Sequence, residues 1–235
     1  MRHGLIHPMP SFVRPMAALL ASAVLAGCAT TMPPETSYSE EPTLHVSCRT
    51  QVQPEERLQL DVIDEKIGND QLYAALAQLE SEPLGTEQHW LRRGQLYVIT
   101  GQMADARELF EALALQCDSA SSHHGLGLVA MKQGRFAEGV DHLAIARKKA
   151  PISGKIRNDY GYALLQVNEI ATATYELRTA FELANGEGSA RQNLAVAYIL
   201  GKDSAGLKWM QTRYGLTRAE LEHAQKIAQR MGRSQ

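Results

Sequence analysis

The side chains with the most chemical potential are eight histidines and three cysteines. Imidazoles and thiolates hold zinc when two donors a few residues apart meet a second such pair, and no spacing of that kind occurs here. The densest group is Cys117, Asp118, His123 and His124. It reads either as a set of metal donors or as polar residues of a helix-to-helix turn, which these types favour through local hydrogen bonds. Gly125-Leu-Gly127 is too short for a phosphate-cradling loop. Arg147-Lys148-Lys149 precede Pro151 and so fall in the last turn of a helix, where cations oppose the negative end of the macrodipole. With 24 Lys+Arg against 26 Asp+Glu there is no net positive field to gather phosphates, which excludes nucleic acid as the main partner. Neither a catalytic set nor a metal or cofactor site emerges, so the expectation is a protein that is not an enzyme.

The cysteines carry more. Arg2 and Arg14 precede the acid-free run Pro15 to Gly27, which has the shape of a secretory signal and is shorter than the roughly 20 apolar residues that span a bilayer. Leu25-Ala26-Gly27-Cys28 resembles the lipobox of bacterial lipoproteins. The resemblance implies cleavage after residue 27, acylation of Cys28 with palmitate among the chains, and firm anchoring. Ala29 stands where that family uses Asp for inner-membrane retention, so the implied place is the periplasmic face of the outer membrane. Without residues 1–27 the chain keeps 22 basic residues against 26 acidic ones. Cys48 and Cys117 would then meet an oxidising compartment, where an even pair reads as a disulfide or as two thiols with Cys117 partly buried.

Aromatic residues make up only 6% of the chain, which together with abundant Ala and Leu predicts an all-α fold. Residues 28–54 are rich in Thr, Ser, Pro and Glu and predict a flexible tether, within which Leu44 to Cys48 alternates as a short patch that either moves with the tether or docks on the folded body, where a Cys48–Cys117 bridge would tie it to the end of a repeat. Beyond residue 54 the dominant signal is self-similarity. Gly94, Gly127, Gly161 and Ala195 recur at steps of 33, 34 and 34, and Ala106, Gly139, Ala173 and Gly206 move in register with them. So do Phe110, Leu143, Leu177 and Met210. Each small residue admits a close helix approach, and each large one fills the space between neighbouring pairs.

Trp90-x2-Arg93-Gly94-x2-Tyr97, followed by Ala106, Phe110 and Leu113, resembles the tetratricopeptide consensus column for column. The resemblance implies an α-solenoid of helix-turn-helix pairs over 55–235: a degenerate repeat at 55–86, clear repeats at 87–119, 120–153 and 154–187, and a shortened one at 188–214. Thr217-Arg-Ala-Glu220 resembles a capping box that opens a last helix over 217–231 and closes the stack. The inward positions of the family fall on Leu91, Gln95 and Val98, then His124, Leu128 and Met131, then Asn158, Tyr162 and Leu165, then Gln192, Val196 and Ile199. This mainly apolar strip implies a protein partner that supplies an amphipathic helix or an apolar strand segment, with Tyr162 as its central anchor; Leu128 and Val196 have the alternative of packing between helices. Convex Lys148 and Arg178 are expected to contribute little.

A lipid-anchored stack of such repeats resembles the accessory lipoproteins of pilus and secretion machines, pilotins included. Asn158-Asp-Tyr-Gly-Tyr-Ala-Leu-Leu and Arg191-Gln-Asn-Leu-Ala-Val-Ala-Tyr resemble the closing repeats of the TadD-type lipoproteins of tight-adherence (Flp) pilus assembly. That resemblance implies a secretin or pilus assembly subunit as partner. The alternative is regulation of a peptidoglycan enzyme through the same groove.

Overall fold

The computed structural model describes residues 44–233, and Cys28, the 1–27 signal and the first part of the tether lie outside them. The described residues form eleven helices and no strand: α1 (Pro54–Gly68), α2 (Leu72–Ser81), α3 (Glu87–Ile99), α4 (Met103–Cys117), α5 (Ala120–Lys132), α6 (Phe136–Lys149), α7 (Gly154–Gln166), α8 (Ile170–Leu183), α9 (Gly188–Leu200), α10 (Ser204–Tyr214) and α11 (Arg218–Arg233). None of these is long and apolar enough to cross a membrane. Five antiparallel pairs stack in chain order, and α11 packs against α9. The architecture is an α-solenoid.

Local chemistry sets the helix starts. The first helices of successive pairs open on hydroxyl caps: Thr86 Oγ1 accepts from His89 N at 3.3 Å, Ser119 Oγ from Ser122 N at 3.1 Å, and Ser153 Oγ from Ile156 N at 3.3 Å. The second helices start from one repeated backbone turn. In it the amide of residue 71, 102, 135, 169 or 203 donates to the carbonyl five residues earlier, at 2.8–2.9 Å. The same bond at each step is the structural form of the repeat.

Packing explains the small and large columns. A Cβ added at Gly127 would stand 2.5 Å from Leu143 Cγ, and one at Gly161 would stand 2.5 Å from Leu177 Cγ, so only glycine lets each pair close to this distance. One apolar cluster gathers around Leu96, Leu109, Phe110 and Leu113. A second gathers around Leu177, Phe181, Leu194 and Met210, and Ala224, Ala228 and Met231 of α11 join it.

The last stretch of the tether takes the docked alternative and not the flexible one. Residues 44–53 run extended along the turn between α2 and α3 and the end of α4. The side chain of Gln116 donates to Leu44 O at 2.7 Å and accepts from Val46 N at 3.3 Å, Ser47 Oγ donates to Gly85 O at 2.8 Å, and Glu87 N donates to Arg49 O at 3.0 Å. Leu44 and Val46 pack against the first cluster, and Cys48 is joined to Cys117 with their Cα atoms 5.1 Å apart. Composition marked this stretch as linker, whereas hydrogen bonds to residues far along the chain and the bridge hold it as a strap.

Candidate protein-binding groove

The first helices of the pairs present one face to a shared trough of about 610 Å³ between α3, α5 and the start of α7, with Asp64 of α1 at one side. Its floor is the ring of Phe110, only 2% exposed. That ring reaches the floor because residues 94 and 125 are glycine: a Cβ at Gly125 would stand 2.2 Å from Phe110 Cε1. Leu91, Val98, Leu128 and Ile156 supply the apolar walls, while Gln95 and His124 add amide and imidazole. At the rim Arg92 is held by Asp64 through two bonds of 2.7 and 2.8 Å, whereas Lys155 stands exposed.

Five of the twelve groove positions expected from the sequence, Leu91, Gln95, Val98, His124 and Leu128, come together here. The others are placed elsewhere. Leu165 and Val196 are fully buried in the second cluster, so they are core residues. Met131 packs inside its own pair, where a Cβ on Gly139 would meet its Sδ at 2.7 Å. Tyr162, expected as a buried central anchor, is 36% exposed and lies outside the trough. Gln192 donates to Glu220 O at 3.5 Å, and Ile199 packs on the cluster that α11 joins, so the groove face of the shortened last pair, α9 and α10, meets the protein's own last helix.

Buried polar side chains tie the groove helices together. His124 Nε2 lies 2.7 Å from Asp159 Oδ2, Asn158 donates to Asp159 Oδ1 at 3.0 Å, and Asn193 donates to Asn158 Oδ1 at 2.9 Å. An ionised carboxylate only accepts, so Asp159 fixes the His124 proton on Nε2. Asn158, expected as a groove residue, is therefore a buried link between α7 and α9. Behind this ladder the Glu176 carboxylate, fully buried on α8, receives Arg147 at 2.6 and 2.8 Å and also Arg157. Sequence spacing gave no sign of either arrangement, because their links between helices join residues 19 to 35 positions apart whose neighbours in the sequence are ordinary helix residues.

The group of Cys117, Asp118, His123 and His124 is divided by the fold. Cys117 is bridged to Cys48 and His124 faces Asp159. His123 Nε2 bonds Asp118 at 2.9 Å, and Asp118 also receives Lys149 at 2.7 Å. Lys149 and His123 together hold the Asp118 carboxyl below its usual range, while burial and then the neighbouring His123 push His142 down. Among the described residues no three His, Cys, Asp or Glu side chains converge on a point that would hold a metal. Arg178, on α8, lies 4.7 Å over the Trp209 ring and bonds Glu182.

No family model matches the chain. It is 32% identical over 215 residues to the TPR repeat-containing protein PA4299 of Pseudomonas aeruginosa, an alignment that spans 91% of this chain and 83% of that protein. Among solved structures it resembles YrrB, described as a TPR protein with an unusual peptide-binding site, at 18% identity and a TM-score of 0.54, over 71% of this chain and 89% of that one. It also resembles residues 41 to the end of MamA from Desulfovibrio magneticus RS-1, at 14% identity and a TM-score of 0.52, over 79% and 99% of the two chains. With five stacked helix pairs, small and large columns in register, and a relative aligned over nine-tenths of its length, the chain belongs to the tetratricopeptide-repeat proteins.

Proposed function

We propose that this chain is a protein-recognition module that holds a segment of a partner in the trough between α3, α5 and α7. The trough itself carries the reading: apolar walls stay open over the first two clear pairs, while Asn158, Leu165 and Val196 at equivalent positions further along are buried. A folded chain seldom leaves a lined apolar concavity of this kind without an occupant. The peptide-binding site described for YrrB, a neighbour in fold, agrees with it.

The finer reading is an accessory lipoprotein of pilus or secretion assembly, of the TadD or pilotin type. Cys28 anchors it to the periplasmic face of the outer membrane, and a secretin or pilus assembly subunit is the partner. Its support is the Leu25-Ala26-Gly27-Cys28 ending of the signal and a Cys48–Cys117 bridge suited to an oxidising compartment.

Copurification from detergent-solubilised membranes tests both levels. The parent and a convex-face Lys148→Glu variant retain secretin or pilus subunits. Leu128→Asp, with its helical circular dichroism intact, loses them. Retention by the folded Leu128→Asp variant refutes the trough. Recovery of cell-wall enzymes in place of pilus proteins moves the module to envelope regulation, and palmitate incorporated into Cys28→Ser refutes the anchor.

A further inference from the structure

The chain's own last helix shows what kind of segment this concave surface accepts. α11 lies on the groove positions of α9, where Gln192 bonds its backbone and Val196 is fully buried. It presents Leu221, Ala224, Ala228 and Met231 at helical steps, and Ala224, Ala228 and Met231 are each no more than 6% exposed. Its entry is fixed by a carboxylate in the first turn: Glu220 accepts from Arg191 at 2.6 Å and completes a capping box with Thr217. The equivalent positions of α3 and α5 line the open trough.

Resting on the protein-recognition reading, we infer that the partner segment is an amphipathic α-helix of the same build as α11. It carries a small-and-aliphatic stripe and a carboxylate in its first turn that pairs with Lys155. Backbone satisfaction decides between a helix and an extended segment. An extended segment brings unpaired amides and carbonyls that the groove must receive. Here most of the trough's polar side chains are already engaged, His124 with Asp159, Gln88 with Arg92 and Ser153 with the first turn of α7, so that Gln95 and Ser121 remain, too few to receive an extended backbone. A helix satisfies its own backbone and asks only for an apolar face. Arg92 is neutralised by Asp64, which leaves exposed Lys155 as the rim cation for the acidic first turn.

The test uses a labelled synthetic peptide with the sequence of residues 217–233, added to the full chain and followed by fluorescence anisotropy. A control peptide has the same composition rearranged to alternate apolar and polar residues. The helical peptide binds and the alternating one does not. Glu220→Lys in the peptide weakens binding about fivefold, and Lys155→Glu in the chain restores it. Equal binding of the alternating peptide overturns the inference, as does no binding of the helical one. Binding that survives Leu128→Asp reflects exchange at α9 and overturns it too. The two readings fail separately. If Leu128→Asp still releases the copurified partner while the helical peptide does not bind, the trough stands and the helical occupant falls.

Discussion

Replacing Cys48 and Cys117 by serine together removes a cross-link between residues 69 positions apart, and loop-closure entropy puts its contribution at about 4 kcal/mol. The strap shows why the loss reaches the folded state as well. Ordering residues 44–53 costs on the order of 10 kcal/mol in backbone entropy. Against this stand four hydrogen bonds, from Gln116 (two), Ser47 and Glu87, at about 1 kcal/mol each. Partial burial of Leu44 and Val46 adds roughly 4 kcal/mol between them. The two sides nearly cancel, so the bridge decides whether the strap stays down. The expected result is a fall of about 4 kcal/mol in urea unfolding. It should be concentrated in the first pairs, because neighbouring repeats unfold partly independently. Two tryptophans give the spatial readout: Trp90 in α3 lies inside the bridged loop and Trp209 in α10 lies outside it. In single-tryptophan backgrounds the Trp90 midpoint shifts and the Trp209 midpoint moves less. Trypsin cleavage after Arg49 appears in the native serine variant. Unchanged Trp90 midpoints together with a protected Arg49 bond refute the reasoning.

Three further outcomes follow from groups that the fold buries or pairs. Burial, with Arg93 and Arg92 close by, pushes His89 down to about 4 from an ordinary 6.5, so the unfolded chain takes the proton first and stability rises with pH between those values. Taking the protein from pH 7 to 4 removes up to about 3 kcal/mol through this group, and His89→Gln flattens the pH dependence of the urea midpoint. A flat profile in the parent contradicts the assignment; His142 contributes in the same direction and remains in both proteins. Glu176→Ala leaves Arg147 and Arg157 without their shared carboxylate and lowers stability by about 3 kcal/mol, while an unchanged melting profile would show that the clamp carries nothing. Arg191→Ala removes the main cause that holds Glu220 at about 2, so its carboxyl moves up towards 4.5 in an NMR titration; an unmoved Glu220 shows that the Thr217 cap alone sets it.

The parts of this fold legible in the sequence are those that depend on one residue type at one step. Gly127 and Gly161 announce themselves because only glycine fits where Leu143 and Leu177 come within 2.5 Å of a would-be Cβ. The groove was less legible because a position on a helix does not say which neighbour covers it. Val98, Met131, Leu165 and Ile199 share one column, yet Val98 lines the trough, Met131 turns onto Gly139, Leu165 is core, and Ile199 packs in the cluster that α11 joins. That column sits at the border between the concave face and the inside of each pair, so the size of the facing residue decides the outcome. The strap was half legible: the alternation of Leu44 to Cys48 and its cysteine left docking open as an alternative without fixing it. Its sequence carries no helical period, and its order comes from partners about 70 residues away, Gln116 and Cys117. The strap and α11 act on the same object. α11 closes the groove over α9, and the strap fixes the N-terminal half of the stack where the trough remains open. The chain that leads back to Cys28 therefore leaves from the half of the stack that has room for a partner.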